Sequence, residues 1–366
     1  MTLTKIEVKL SERSYPILVE VGLRQQLAEH LRLHLSPHCR KIVVISNATI
    51  FRLYGADICN QLTTLGLQVS HYLIGDGERC KTLRTAERAL AFLMAQNLSR
   101  HDLIVALGGG VVGDLAGFVA AIYLRGIDVI QIPTTLLAQI DAAIGGKTGV
   151  NHPAGKNLIG AFHQPKLVVI DQETLTTLPL RELKAALQEA IKYGVIADKE
   201  LFQFIDKNQE GLLRQDPQLL DSLIVSCCTI KAGVVSRDEK EAGERKILNF
   251  GHTAGHALEA ATNYRRFKHG EAVGYGMLVA TKIAQALDLL DDEQGKSIET
   301  LVMNYGRLPK WSDINEATLM ALMKHDKKSQ AGQVTFVLPE SIGRVIIRQS
   351  VPFTLIHQIL AELRGK

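Results

Sequence analysis

The chain of 366 residues is longer than one hydrophobic core usually serves, so two domains are expected. Its 46% hydrophobic and 22% charged residues match a soluble globular enzyme, and 5% aromatics with one tryptophan, Trp311, exclude a stacking platform for single-stranded nucleic acid. A net charge of +4 without a long basic run argues against a nucleic-acid partner and suits a few cations gathered around one small anion.

Ile6-Glu-Val-Lys-Leu10 and Tyr15-Pro-Ile-Leu-Val-Glu-Val21 read as an opening strand pair. Lys41-Ile-Val-Val-Ile-Ser46 is a short apolar run, the pattern of a strand buried on both faces. Val69–Ile74, Leu103–Leu107 and Val129–Ile132 follow in the same style, and Val168–Asp171 closes the series. Amphipathic segments lie between them, notably Thr85–Met94. This β-α-β rhythm predicts a parallel sheet with helices on both faces. After Leu178-Pro179 the periodicity turns helical up to about Ala331, and a small hairpin is expected over Gln333–Leu338 and Arg344–Arg348 before a closing helix. The expected domains are 1–178 and 179–366, with a ligand cleft between them as the default site.

Leu103–Gly117 runs from a buried strand through Gly108, Gly109 and Gly110 to Gly113 and Asp114 at the start of a helix. Backbone N–H groups there can close on a pyrophosphate. The spacing of Gly108, Gly110 and Gly113 matches the dinucleotide fingerprint, but the acid expected about 20 residues on is misplaced, since Asp128 begins a strand rather than ending one. Tight helix–strand packing is the plainer reading of the same glycines. Two more turns follow strand ends: Gly75-Asp76-Gly77-Glu78-Arg79-Cys80-Lys81, and Pro133-Thr134-Thr135. Ile144–Asn157 sets Lys147 and Lys156 among glycines, which suits phosphate, although the spacing is not that of a Walker loop.

In the second half, His252 and His256 stand four residues apart on one helix face, with Glu259 nearby, His269-Gly-Glu271 a loop later and Glu189 upstream. Imidazoles and carboxylates with one position left open form a catalytic divalent-metal site, most often zinc. A solvated helix with surface histidines is the bland alternative, and the flanking glycines, which leave room for a ligand, count against it. Lys192, Lys231, Arg245 and Lys327-Lys328 add cations suited to a substrate bearing both carboxylate and phosphate.

The five cysteines, Cys39, Cys59, Cys80, Cys227 and Cys228, form no CxxC pair and imply neither zinc ribbon nor disulfide framework. Reduced thiols point to the cytoplasm. The N-terminal stretch lacks the apolar core of a signal peptide, and the apolar runs read as too interrupted to span a bilayer, so no membrane association is expected.

With these motifs in hand, the chain closely resembles the 3-dehydroquinate synthases, sugar-phosphate cyclases of the shikimate pathway. The stretches that carry the likeness run in order through most of the chain. They are Asp76–Lys81, Gly108–Asp114, Tyr123–Ile127, Ile132–Ala138, Gly146–Asn157, Gly160–Pro165, Glu189–Gly194, Asn249–His256, His269–Val273 and Asp326–Lys328. The resemblance implies an α/β N-terminal NAD-binding domain with a parallel sheet and a mostly α-helical C-terminal metal-binding domain. It assigns Glu189, His252 and His269 to a divalent metal, zinc or else cobalt, where spacing alone would have left His252 with His256 open. His256 becomes a proton relay beside the substrate. Around the substrate it sets Lys147, Lys156, Asn157, Lys192, Lys231, Arg245, Asn249 and Lys328, with Lys327 as the alternative to the last, and Asp141 and Asn249 orient hydroxyls.

NAD would be held by Asp76, Gly77, Glu78 and Lys81, by Gly109, Gly110, Val111, Val112, Gly113 and Asp114, by Thr134 and Thr135, by Lys147 and Lys156, and by the turn Thr174, Leu175, Thr176 and Thr177. Arg125 would reach the site of a neighbouring subunit, which implies a homodimer. The implied reaction converts 3-deoxy-D-arabino-heptulosonate 7-phosphate to 3-dehydroquinate and phosphate by transient oxidation, β-elimination, re-reduction and aldol closure. One departure stands beside the ligand carboxylate, where this chain reads Ala186-Leu187-Gln188-Glu189. The rival class is a metal-dependent polyol dehydrogenase, which would accumulate NADH.

Overall fold

The computed structural model describes residues 2–305, 308–325 and 334–364. Two compact units emerge, Met1–Leu178 with Leu220–Lys240, and Pro179–Leu219 with Glu241–Lys366. This differs from the expected division at 178 in one segment, because Leu220–Lys240 packs with the first unit.

In the first unit, β1 (Thr4–Val8) pairs antiparallel with β2 (Tyr15–Val19). Then come β3 (Lys41–Asn47), β4 (Gln68–Ile74), helix α1 (Leu83–Ala95), β5 (Leu103–Gly108), helix α2 (Gly110–Ile122) and β6 (Asp128–Pro133). β7 (Lys147–His152) and β8 (Gly155–Phe162) form a separate hairpin, and β9 (Leu167–Ile170) completes a seven-stranded sheet of order β1-β2-β9-β6-β5-β3-β4. All of its pairs except the first are parallel.

Alternation of side chains across each strand divides the core in two. Val43, Ile45, Ile104 and Ala106 pack with Leu93 of α1 and Leu115 of α2, while Ile42, Val44, Leu103, Val105, Ile130 and Val169 pack on the other face with Leu27 and Ile58. Thr82 caps α1, its hydroxyl accepting from the Thr85 N–H at 3.2 Å. The hairpin β7–β8 was not among the expected strands. Its glycines read as a phosphate loop, whereas Gly149 and Gly160 face each other and bring the two backbones close.

Helix α4 (Pro217–Arg237) is long and apolar enough by composition to cross a membrane, contrary to the expectation of interrupted runs. It is nevertheless a core helix of the first unit. Cys227 and Cys228 are buried, Gln172 donates to Asp221 at 2.5 Å, and the Lys231 ammonium donates to the Asp141 carboxylate at 2.5 Å.

Among the described residues, the second unit has helices and one hairpin, β10 (Phe336–Ser341) with β11 (Arg344–Arg348). Its centre is three helices, α3 (Leu180–Ala197), α5 (His252–Ala261) and α6 (His269–Ala286). They approach to backbone contact. A Cβ on Gly270 would lie 1.7 Å from the Ala185 carbonyl oxygen, and one on Gly276 would lie 1.6 Å from that of Gly251. Gln188, at the departure from the family pattern, is buried and donates to the Val302 carbonyl at 2.9 Å, so a polar side chain is accommodated there. Gly276→Ala forces backbone apart and is expected to cost about 1–3 kcal/mol. A lowered urea midpoint for this unit would register it, and an unchanged midpoint would contradict the close contact.

Candidate active site

Glu189 lies midway along α3 and is fully buried, a costly place for a carboxylate unless cations face it. Its two oxygens are used differently. Oε2 meets the Lys192 ammonium at 2.5 Å, one turn further along the same helix face. Oε1 faces two imidazoles, lying 3.6 Å from His252 Nε2 and 3.4 Å from His269 Nε2. The three side chains offer ligand atoms all within 4.8 Å of one another.

Each imidazole is turned by a partner on its other nitrogen. His252 Nδ1 is 3.0 Å from the Phe250 carbonyl, and His269 Nδ1 is 3.2 Å from Glu259 Oε2. This is how metal-ligating histidines are held, with one nitrogen fixed by an acceptor so that the other presents its lone pair. Burial opposes charging His269, yet Glu259 and Glu189 outweigh it and push its pKa up to about 10. Two carboxylates therefore demand a positive charge between them, and a divalent cation fits the place of that proton.

His256, Glu259 and His269 form a second possible set. It competes for the same His269, but Glu259 already faces the Nδ1 side. The His256 ring packs edge-on against His252 at 5.2 Å and lies 6.0 Å from His269, beside the ligand set rather than in it. Glu271, the other carboxylate of this region, is structural. It accepts from Arg181 at 2.7 and 2.8 Å and from the Lys268 N–H at 2.8 Å, which caps α6. Arg245 is buried, and Asn249 donates to Glu241 at 2.5 Å. Lys327 and Lys328 lie outside the described residues.

In the first unit the parallel strands bring their carboxyl ends to one sheet edge. Chain order reverses between β3 and β5, which makes that edge a topological switch point, the usual ligand position in such sheets. Asp76, Gly77 and Glu78 follow β4; Gly109, Gly110, Val111, Gly113 and Asp114 follow β5; Thr134 and Thr135 follow β6; and the turn Gln172–Thr177 follows β9. Gly109 stands at the N-terminus of α2, with its N–H groups free of side-chain caps. The Val112 and Leu175 side chains are buried, so only their backbones can meet a ligand. The Thr177 hydroxyl contacts Tyr54 Oη at 2.6 Å, and Thr174 Oγ1 accepts from Gln139 at 3.1 Å.

Lys81 is buried and joins this edge to the hairpin, its ammonium on the Asp114 carboxylate and 2.5 Å from Asn157 Oδ1. Lys147 and Asn157 are exposed and Lys156 is half-buried on the hairpin. Lys231 and Asp141 pair within this unit. Arg125 is exposed in the turn after α2, where Leu124 and Arg125 have φ of 49° and 68°. Sequence reasoning missed Asn47 and Thr49, which donate to the Asp76 carboxylate at 2.7 and 2.9 Å. In the sequence Asn47 is no more than a polar residue at a strand end.

The matches to known proteins agree with this geometry. The family model described as 3-dehydroquinate synthase N-terminal covers residues 71–185, and the one described as 3-dehydroquinate synthase C-terminal covers 186–329. A curated 3-dehydroquinate synthase of Gloeobacter violaceus is 50% identical over 99% of both chains. The chain belongs to the 3-dehydroquinate synthase family.

Among solved structures, 2-deoxy-scyllo-inosose synthase complexed with carbaglucose-6-phosphate, NAD+ and Co2+ superposes with a TM-score of 0.88 at 25% identity, over 98% of this chain and 99% of that one. The 2-epi-5-epi-valiolone synthase of Streptomyces hygroscopicus subsp. jinggangensis, with NAD+ and Zn2+ bound, gives a TM-score of 0.88 at 28% identity over 97% and 98%. In this 3-dehydroquinate synthase family member, Glu259 sits where it can aim the His269 imidazole. Glu259→Gln is expected to weaken cation binding about 10–100-fold, read by competition with a chromogenic chelator. Unaltered affinity would show that Glu259 does not orient His269.

Proposed function

We propose that this chain converts 3-deoxy-D-arabino-heptulosonate 7-phosphate into 3-dehydroquinate and phosphate, by transient oxidation, β-elimination, re-reduction and intramolecular aldol closure. The observation that carries this reading is the convergence of His252 and His269 Nε2 on buried Glu189, in a chain that matches this family along its length. Glu189, His252 and His269 hold the divalent cation, zinc or cobalt. The loops at the carboxyl edge of the sheet, Asp76–Lys81, Gly109–Asp114, Thr134-Thr135 and Thr174–Thr177, hold NAD. When bound, NAD takes up and returns a hydride within each turnover while the cation polarises the hydroxyl that loses it.

The remaining residues position charge. Lys147, Lys156 and Asn157 take the phosphate, and Lys231 and Arg245 take the carboxylate. A carboxylate distinguishes this substrate from those of related cyclases acting on heptulose or hexose phosphates. Asp141, held by Lys231, and Asn249, held by Glu241, orient hydroxyls. Lys192 balances Glu189, and His256 relays a proton at a substrate oxygen. Lys328 is assigned to the substrate from the family pattern alone. The place of action is the cytoplasm, in keeping with five free cysteines.

The working assembly is a homodimer in which Arg125 serves the neighbouring subunit. Exposed Ile122 and Leu124 flank it, and exposed Phe162 adjoins through His163, whose Nε2 lies 2.8 Å from the Ile127 carbonyl. Such an apolar surface with a cation suits a second copy.

Purified protein given the heptulosonate phosphate and catalytic NAD should release phosphate and 3-dehydroquinate, identified by NMR, without net absorbance at 340 nm. Accumulating NADH would instead mark a polyol dehydrogenase. Glu189→Gln should lose both bound metal and turnover. Arg125→Ala and Lys147→Ala are each expected to be nearly inactive, yet mixing the two should restore part of the activity. No rescue would argue against a shared site.

A further inference from the structure

Within the segment Gly146–Asn157, Asn151 on β7 has had no role so far. It is bonded on three sides. Its N–H donates to the Lys81 carbonyl at 2.8 Å, its Nδ2 donates to Glu78 Oε1 at 2.8 Å, and its Oδ1 accepts from the Asn157 N–H at 2.9 Å. Thr82 and Asn151 also form an isolated parallel bridge, so the loop after β4 touches the hairpin at this point. Lys81 closes the circuit from the other end, with its ammonium shared between Asp114 and Asn157.

Two groups of residues meet here. Glu78, Lys81 and Asp114 belong to the NAD side of the proposed function, and Asn157 to the phosphate side. Asn157 has φ of 53°, a left-handed conformation that asparagine adopts more readily than most residues and that local hydrogen bonds favour. Its support is the Asn151 oxygen on its N–H and the Lys81 ammonium on its own amide oxygen.

We infer that Asn151 is a positioning residue that couples cofactor binding to substrate binding, by tying the shape of the Glu78–Lys81 loop to the conformation of Asn157. The inference rests on the assignment of Glu78 to NAD and of Asn157 to the substrate phosphate. The physical basis is shared ordering. A ligand that fixes either segment fixes the other through one amide, so the second ligand meets a segment already ordered. By linkage the effect is reciprocal: substrate tightens NAD by the factor by which NAD tightens substrate. One amide suits this role because it offers a donor to a carboxylate on one side and an acceptor to a backbone N–H on the other.

Calorimetric titration of the metal-loaded full chain tests this. NAD is titrated alone and then with a saturating 7-phosphonate analogue of the substrate, whose C–P bond cannot be eliminated. Wild type should bind NAD about 5–150-fold tighter with the analogue present. Asn151→Leu, of similar size and without hydrogen bonds, should bring that ratio to about 1 while NAD affinity measured alone changes by less than about threefold. Asn151→Asp keeps the acceptor for Asn157 but sets a carboxylate against Glu78; it should also lose the coupling, and it serves if the Leu variant fails to fold by circular dichroism.

Coupling retained in the folded variants, or NAD affinity lost equally with and without the analogue, overturns the inference. Wild type that binds both ligands without coupling overturns it alone. Wild type that binds neither overturns the proposed function and the inference with it.

Discussion

Three helices of the second unit touch through backbone rather than side chains, and the chemistry of that unit depends on this. Where Gly270 meets Ala185 and Gly276 meets Gly251, no side chain could be interposed. The approach puts the middle of α3 beside the first turns of α5 and α6. Glu189 therefore meets His252 and His269, although 63 and 80 residues of chain separate them. The result is a buried carboxylate whose desolvation is offset by cations: Lys192 on one oxygen, and the imidazoles, or an ion between them, on the other.

The first unit reaches a comparable result with a sheet. Parallel strands place all their carboxyl ends on one edge, so turns that are far apart in the chain become neighbours without any of them needing to be long. Rigidity then comes from short polar ties. Asn47 and Thr49 hold Asp76, Asn151 holds Glu78, and Gln139 donates to the carbonyls of Pro133 and Asp171 at 3.3 and 3.2 Å. A binding surface made of backbone turns keeps its shape only if such ties replace the packing that buried strands enjoy.

Local pattern made the strands legible. Lys41–Asn47 is apolar at four of its five buried positions, and β3, β5, β6 and β9 were readable for the same reason. The hairpin β7–β8 was not, because its glycines serve close backbone approach and mask the alternation of Thr148, Val150 and Ile159. Helix α4 reads as one more helix of the second half. Its return to the first unit is a long-range choice, expressed in Lys231 on Asp141, that no periodicity carries. The proposed metal triad shows the same limit. Spacing of four favoured His252 with His256, and those rings do touch. The convergence of Nε2 atoms involves His269 instead, which the sequence offered as a candidate and only the resemblance to a family preferred over His256. Glu259 was visible as a carboxylate near the histidines, but its hold on Nδ1 is a matter of geometry.

Stability does not account for the polar groups that remain inside. Lys81, Lys192 and Lys231 are 3%, 1% and 5% exposed, and each is bonded to a carboxylate: Asp114, Glu189 and Asp141. Replacing a buried ion pair by apolar residues of equal volume is commonly neutral or stabilising, so a chain selected for stability alone would have no use for three of them. Arg245, at 1% exposure, makes the same point. What such pairs supply is charge held at fixed positions in a medium of low dielectric, where it acts on a bound anion without first shedding water. Each carboxylate partner holds its lysine in a fixed place. In the proposed function Lys81 stands on the NAD side, Lys192 balances Glu189 and Lys231 takes the substrate carboxylate, so each buried pair stands where that function needs charge held in place, not where the core needs packing.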